Sequence, residues 1–399
     1  MSELHHLLTL PHRPITEEYY FPKIQHFLKC GVPATYTLEQ AAAFEKDSEE
    51  TSESNTTPLH ILARSLPKDL NNEENEVILK IFNIFFEYGA GWNFIDFEEK
   101  TIGDLVLEKG YTKDSMLYNR LIEAGVSAEL LLRKVNGGDI EFIEDEDILN
   151  DNEPGSENTD APSEIQDVVT EDTDATAANP STYLKTKLEY KEDSLITKEN
   201  KDGVMMDWED EIMKLAANTI FPDLSNTTDS IVLNIGFGMG IIDSYIEEKK
   251  PKMHYICEAH PDVLQKMKED GWYEKPNVVI LEGKWQDTLN ALLDEGEVFF
   301  DGIYYDTFSE HYEHMLELYD VIVGLIKSDG VFSFFNGLGA DRQICYDVYK
   351  KIVEIDVAMY GFKCEYTTID IGNHLPDWKD VKRSYYNCTY YYHPRITFI

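Results

Sequence analysis

The chain has 399 residues, with 76 acidic against 35 basic side chains and a formal charge of −41; that length leaves room for two domains and a linker. The charge repels phosphates, which excludes nonspecific binding to nucleic acid or to an anionic membrane and favours a cationic partner. Cys30, Cys257, Cys345, Cys364 and Cys388 are scattered without a C-x-x-C pair, against a disulfide framework or zinc site, and the absence of an apolar run of roughly 18 residues or a signal-peptide core predicts a soluble, intracellular protein.

Residues 1–136 read as helical, with a faint repeat. Phe27-Leu-Lys-Cys-Gly31, Phe85-Phe-Glu-Tyr-Gly89 and Leu121-Ile-Glu-Ala-Gly125 share the pattern apolar-apolar-x-x-Gly, which predicts helices ended by a glycine in the left-handed region. Thr57-Pro-Leu-His-Ile-Leu-Ala63, with a weaker copy at Thr101-Ile-Gly-Asp-Leu-Val106, resembles the turn that opens an ankyrin repeat. The spacing is irregular, and the polar stretches Glu45–Asn55 and Pro67–Glu76 are read as insertions. Such a unit serves either as a platform for a partner or as a helical cap. Next comes an acidic segment, 137–182. Its portion from Asp139 to Thr176 holds fifteen acids and no base, which predicts a disordered linker, either a plain tether or a lure for a basic protein.

The third region, 183–399, opens with a helical lead-in and then alternates strands and helices. Strands are expected at Ile231–Ile235, Met253–Cys257, Val278–Glu282, Val298–Tyr305, Val331–Phe335, Cys364–Ile371 and Tyr385–His393. Helices are expected at Ile241–Lys249, Pro261–Asp270, Gln286–Leu293, His311–Lys327 and Asp341–Met359. Alternation of this kind predicts a mostly parallel, doubly wound α/β sheet of seven strands. The last two strands, joined by Asn373–Lys382 without a helix, can form an antiparallel edge pair.

Ligands of such sheets sit at the carboxyl ends of the strands, and four consecutive ends carry polar or glycine-rich motifs. Ile231-Val-Leu-Asn-Ile-Gly-Phe-Gly-Met-Gly240 is a buried strand running into Gly236, Gly238 and Gly240. A compact G-x-G-x-G departs from the G-x-G-x-x-G of dinucleotide sites and suits a ligand without phosphates, such as S-adenosylmethionine. Glu258 ends the second strand and can accept from both ribose hydroxyls. In Gly283-Lys-Trp-Gln-Asp287, Trp285 offers a wall for adenine, with Gln286 and Asp287 for its edge. Asp306, in Tyr304-Tyr-Asp-Thr307, ends the fourth strand. Upstream, Val204-Met-Met-Asp-Trp-Glu-Asp210 can roof the pocket with Met205 and Trp208 while Glu209 points inward, although Glu209 could equally be one surface acid among several. Two inward carboxylates match a planar guanidinium. His311 and His314 read as helix surface, and no histidine cluster has metal-ligand spacing. Asn336-Gly-Leu-Gly339 either lines the substrate side or forms a plain loop.

Taken together, V-L-N-I-G-F-G-M-G, E-A-H, G-K-W-Q-D and Y-Y-D-T resemble guanidinoacetate methyltransferase, and still more the fungal type IV protein arginine N5-methyltransferases, which join ankyrin-like repeats to that catalytic fold. The resemblance implies a Rossmann-like, S-adenosylmethionine-dependent methyltransferase domain. It implies that Phe237, Gly238, Met239, Gly240, Ile241, Ile242, Glu258, Ala259, His260, Trp285 and Gln286 contact S-adenosylmethionine, and that Tyr183, Met205 and Met213 close over it. Asp306 and Glu209 are implied to hold the guanidinium, Asp306 also bordering the cofactor. It further implies methylation of the internal delta (N5) nitrogen of arginine in a basic protein substrate, a large-subunit ribosomal protein, by a monomer of cytoplasm and nucleus. Asn234 departs from the acid often found in the first-strand motif, but an amide can still orient the loop. Other classes are a small-molecule guanidino methyltransferase, a nicotinamide-dependent oxidoreductase, disfavoured by the glycine spacing, and a scaffold with an inactive Rossmann domain.

Overall fold

A computed structural model describes residues 2–46, 55–136, 179–308, 311–372, 375, 378, 381–382 and 384–399. The acidic stretch 139–176, most of the insertion 45–55 and much of the 373–382 connection lie outside them. The described residues fall into two units. One runs to residue 136 and includes Arg342–Tyr349; the other comprises 179–341 and Lys350–Ile399. Among the described residues no helix is long and apolar enough to cross a membrane.

The first unit is helical: Glu3–Leu8, Glu17–Lys29, Leu38–Lys46, Pro58–Ser65, Asn72–Glu87, Ile102–Glu108 and Met116–Asn136. Thr57 caps its helix as the T-P-L-H reading expects. The buried His60 accepts at Nδ1 from the Thr57 amide at 3.1 Å, so its Nε2–H donates to the Phe94 carbonyl at 3.0 Å. Thr101 and Asp104 form the corresponding box. Gly31 and Gly89 follow their helices at φ of +87° and +79°, as expected for left-handed terminators. Gly125 does not. It lies inside Met116–Asn136, and a Cβ there would come within 2.5 Å of Val348 and 3.0 Å of Trp92, so close packing rather than helix termination explains this glycine. Pro67–Glu76 is likewise not a simple insertion. It contains the Asn71–Glu74 capping box that starts Asn72–Glu87, and buried Glu74 pairs with Arg13 at 2.8 Å.

The second unit has two sheets. A small antiparallel one is built from β1 (Leu188–Tyr190), β2 (Ser194–Thr197) and β3 (Gly203–Met206). The sequence predicts only a helical lead-in here; strands of three or four residues amid Lys and Glu leave too little alternation to detect. The large sheet holds β4 (Ile231–Ile235), β5 (Met253–Glu258), β6 (Val278–Glu282), β7 (Phe300–Tyr305), β8 (Ile326–Phe334), β9 (Phe362–Asp370) and β10 (Tyr390–Phe398), in the order β6-β5-β4-β7-β8-β10-β9. The first five are mutually parallel; β10 runs antiparallel to both β8 and β9. This is the Rossmann-like seven-stranded arrangement expected. The last strand starts five residues later than expected, at Tyr390, because Tyr385 and Tyr386 pack their rings in the preceding loop.

Both faces of the large sheet are covered, so β4 has no polar alternation. Leu233 and Ile235 join one core with Phe300, Ile303 and Phe332, while Val232 joins another with Ile242, Ile256 and Met213. Each such fully buried side chain stabilises the fold by about 1.5–3 kcal/mol. From β4 the connections run outward through β5 to β6, then return to β7 on the other side of β4. The crevice at the carboxyl ends of β4 and β7 is therefore the switch point where such sheets bind ligands.

Candidate active site

Three glycines shape this crevice. Gly236 leaves β4 at φ +94°, and a Cβ on it would fall 1.9 Å from the Asp306 carbonyl oxygen. Gly238, at φ +56°, brings the loop under Met205, whose Sδ and Cε would lie 2.9 Å from an added Cβ. The Met239 amide reaches Met205 Sδ at 3.3 Å and the Tyr190 hydroxyl donates to the Gly238 carbonyl at 3.0 Å. The loop is thus covered from the small sheet. Asn234 orients it from below, as an amide can: Nδ2 donates to the Gly236 carbonyl at 2.7 Å and to both oxygens of buried Asp243 at 2.9 and 3.0 Å.

Of the expected residues, Tyr183, Met205, Gly238, Glu258, Ala259, Trp285, Gln286 and Asp306 line one pocket. The others stand behind its wall. Phe237 packs edge-on against Trp272, Met213 lies beneath at 3.6 Å from the Tyr304 hydroxyl, and Ile242 is fully buried. Met239, Gly240 and Ile241 continue the loop into the helix Ile241–Glu248. His260 caps the helix Pro261–Glu269, and its Nε2 lies 3.1 Å from the Tyr183 and Thr186 carbonyls. It ties down the segment that crosses the pocket rather than lining it. Asp287 is exposed and outside the lining.

Glu258 lines the pocket, but its carboxylate is engaged by the protein. Oε2 accepts from the Phe237 amide at 2.9 Å; Oε1 accepts from those of Ala259 and His260 at 2.8 and 2.7 Å. Burial raises its pKa and these amides pull it back. A carboxylate has about four acceptor sites, so little capacity remains for two ribose hydroxyls. Holding the glycine loop against the end of β5 is the role this geometry displays.

Asp306 follows β7 and is half-buried at the pocket. Its Oδ2 is buried without a hydrogen-bond partner among the described residues. Burial first, then the charge of Asp243, pushes its pKa up to about 7. Glu209 is 2 % exposed, on the 3-10 turn Asp207–Glu209 after β3. Burial raises its pKa well above the ordinary carboxylate range, and the charge of nearby Asp306 raises it further. Burial and a neighbouring carboxylate make each of these acids costly to ionise, Asp306 acting on Glu209 and Asp243 on Asp306, a cost that a bound cation offsets. Glu209 does not itself line the pocket. Trp208 is not the roof expected of it. Its ring lies 5.3 Å from Tyr386 and 6.4 Å from Trp378, in an aromatic cluster beside Glu209.

Further lining comes from Pro180, Val204, Thr307, Phe308 and His314. His314, expected on the helix surface, stacks on His311 with centroids 5.9 Å apart and borders the pocket. Helical spacing alone could not distinguish those positions. Asn336 closes a loop, donating from Nδ2 to the Tyr392 carbonyl at 3.0 Å.

These residues fit S-adenosylmethionine. The glycines leave no room for a Cβ where the loop turns, Met205 and Trp285 supply apolar walls, and Asp306, whose buried Oδ2 has no hydrogen-bond partner among the described residues, lines the same cavity. Residues 179–397 match the family profile described as guanidinoacetate N-methyltransferase. The chain is 65 % identical to protein arginine N-methyltransferase 2 of Saccharomyces cerevisiae, with all of both chains covered. It is 38 % identical to the protein of that name in Yarrowia lipolytica, covering 97 % of this chain and 95 % of that one. Among solved structures, the O-methyltransferase TomG from Streptomyces achromogenes in complex with SAM is 14 % identical, with 49 % of this chain and 81 % of that one covered at a TM-score of 0.34. The chain is a methyltransferase with S-adenosylmethionine as its cofactor, and it belongs to the guanidinoacetate N-methyltransferase family together with these fungal protein arginine N-methyltransferases.

Proposed function

We propose that the chain methylates the delta (N5) nitrogen of an arginine in a basic protein, a large-subunit ribosomal protein, with Asp306 and Glu209 holding the guanidinium. The observation that carries this reading is the buried, unsatisfied Oδ2 of Asp306 beside a second buried carboxylate. A guanidinium supplies both the missing donors and the missing charge, and its planar fork matches carboxylates. The choice of the delta nitrogen and of a ribosomal substrate rests on the sequence resemblance. So do the ankyrin-like character of the N-terminal unit, a monomeric state and residence in cytoplasm and nucleus. The charge of −41 supports a basic protein partner and disfavours direct nucleic-acid or membrane contact.

S-adenosylmethionine, when bound, supplies an electrophilic methyl group. Asp306 and Glu209 orient the guanidinium toward it, and the low-dielectric surroundings strengthen that hold. As the C–N bond forms and the methyl–sulfur bond breaks, leaving S-adenosylhomocysteine, the attacking nitrogen loses a proton, which Asp306 accepts. Asp306 is the better base because it is fixed to a central strand, whereas Glu209 rides on a short turn.

The test is incubation of full-length protein with ribosomal proteins and methyl-labelled S-adenosylmethionine, with the methyl located by mass spectrometry. Asp306→Asn should lower turnover by about 10²–10⁴-fold and Glu209→Gln by less, both retaining S-adenosylhomocysteine binding. Near-normal turnover by Asp306→Asn defeats the assignment. Label on free guanidinoacetate but on no protein would turn the reading to a small-molecule enzyme.

A further inference from the structure

Glu209 is held by a residue 176 positions away in sequence. The Tyr385 hydroxyl donates a hydrogen bond to Glu209 Oε1, which also accepts from the Met206 amide at 3.2 Å. Trp208 Nε1 in turn donates to the Tyr385 oxygen at 2.9 Å. An indole N–H can only donate. The Tyr385 oxygen is therefore an acceptor toward Trp208, and its single hydrogen is committed to Glu209.

The Tyr385 ring has little freedom to leave. It packs 4.9 Å from Trp378 and 6.0 Å from Trp208, and it passes so close to Gly203 of β3 that a Cβ there would lie 3.1 Å from Tyr385 Cε1. Both of these bonds end on Oε1 rather than Oε2. Tyr385 does not line the cofactor pocket.

We infer that Tyr385, with its hydroxyl locked by Trp208, is a positioning residue for methyl transfer that anchors Oε1 of Glu209 and presents Oε2 to the substrate guanidinium. This inference rests on the function proposed above. It has an electrostatic consequence, because a donor to a carboxylate favours the charged form. The titratable groups that face Glu209 are Asp306 and Tyr304 around the end of β7, and Tyr385. Of these, Tyr385 lowers the Glu209 pKa through its hydrogen bond, against burial and the charge of Asp306. Removing that hydrogen bond extends the protonated, non-clamping form of Glu209 to higher pH.

The experiment compares full-length Tyr385→Phe, Trp208→Phe and Glu209→Gln with the parent. Initial rates at limiting ribosomal-protein substrate are followed against pH, beside calorimetric titration with S-adenosylhomocysteine. Tyr385→Phe should keep cofactor affinity within about twofold and lose about 10–100-fold in rate, as for one hydrogen bond to a charged group. Its acidic limb should move to higher pH. Trp208→Phe, which frees the hydroxyl to rotate, should move the same limb less. An unchanged rate and pH profile in Tyr385→Phe, with Glu209→Gln impaired, overturns this inference and leaves the proposed function standing. Normal turnover by Glu209→Gln defeats the clamp itself and the inference with it. Cofactor binding lost in step with activity in Tyr385→Phe would make the residue structural and would also overturn the inference.

Discussion

Replacing Gly236 by alanine tests the geometry of the crevice more severely than any change of charge. The new methyl would sit 1.9 Å from the Asp306 carbonyl oxygen and 2.8 Å from its carbon, about 1.5 Å short of ordinary contact with the former. Both obstacles are backbone, held because the Asp306 amide donates to the Ile235 carbonyl at 2.8 Å and the Gly236 amide to that of Cys257 at 2.8 Å. Neither can rotate aside. The φ of +94° adds strain, of the order of 1–3 kcal/mol for a residue with a side chain. Relief requires β4 and β7 to part at their ends, moving Asp306 by about 1 Å, and a misplacement of that size costs about 10²-fold in rate. Gly238→Ala is the control. It lies at φ +56°, within the left-handed well, and its methyl meets only the flexible end of Met205, so its cost should stay near 1 kcal/mol, or less than about tenfold in cofactor affinity. Calorimetry with S-adenosylhomocysteine, initial rates and thermal melts on both variants decide the matter. Wild-type binding and rate in Gly236→Ala, or equal damage from Gly238→Ala, would refute the reasoning.

Glu258→Gln leaves one acceptor oxygen and turns an amide N–H₂ toward the donors of Phe237, Ala259 and His260, so S-adenosylhomocysteine affinity should fall about 10–100-fold; faster hydrogen exchange at the Phe237 amide would trace the loss to the loop, and unchanged exchange would place it at the ribose. With Asp306 pushed up to about 7, rates at limiting substrate should fall as pH drops through about 7, since the ionised form clamps the always-protonated guanidinium; a profile flat down to pH 5 would contradict this. The same shift acts on stability with the opposite sense. Between the ordinary carboxylate range and about 7 the folded, substrate-free chain holds a proton that the unfolded chain has released, so Asp306 stabilises the fold less as pH rises through that window, a trend that Asp306→Asn should remove from thermal melts. Thr57→Ala removes an N-cap hydroxyl 2.8 Å from His60 Nδ1 and should cost about 1 kcal/mol, seen as a lower melting temperature with cofactor affinity unaltered.

The fold was legible in the sequence wherever structure is local or periodic. The buried run Ile231–Ile235 and the glycines after it announced the first strand and turn, because a doubly covered strand and a sharp turn each need those residue types in that order. The alternation that followed predicted four of the parallel strands to within two residues and the fifth, β8, which starts at Ile326 rather than Val331, to within five, and Asp306, Glu258 and Trp285 could be placed at strand ends because a parallel sheet aligns those ends on one edge. Capping pairs such as Thr57 with His60 were equally visible, since three residues suffice to close them. Tertiary structure decided what depends on distant chain. Gly125 carries the same apolar-apolar-x-x-Gly pattern as Gly31, yet it lies mid-helix because Trp92 and Val348 leave no room for a side chain. Glu258 was readable as a pocket acid, but its engagement with three backbone amides was not, because backbone donors have no sequence signature. Glu209 could be one surface acid among Asp207 and Asp210 until the fold set it against Asp306 and under the Tyr385 hydroxyl. A spacing of 176 residues carries no periodicity, so the side chain that aims Glu209 becomes visible only when the loop before β10 folds back over β3.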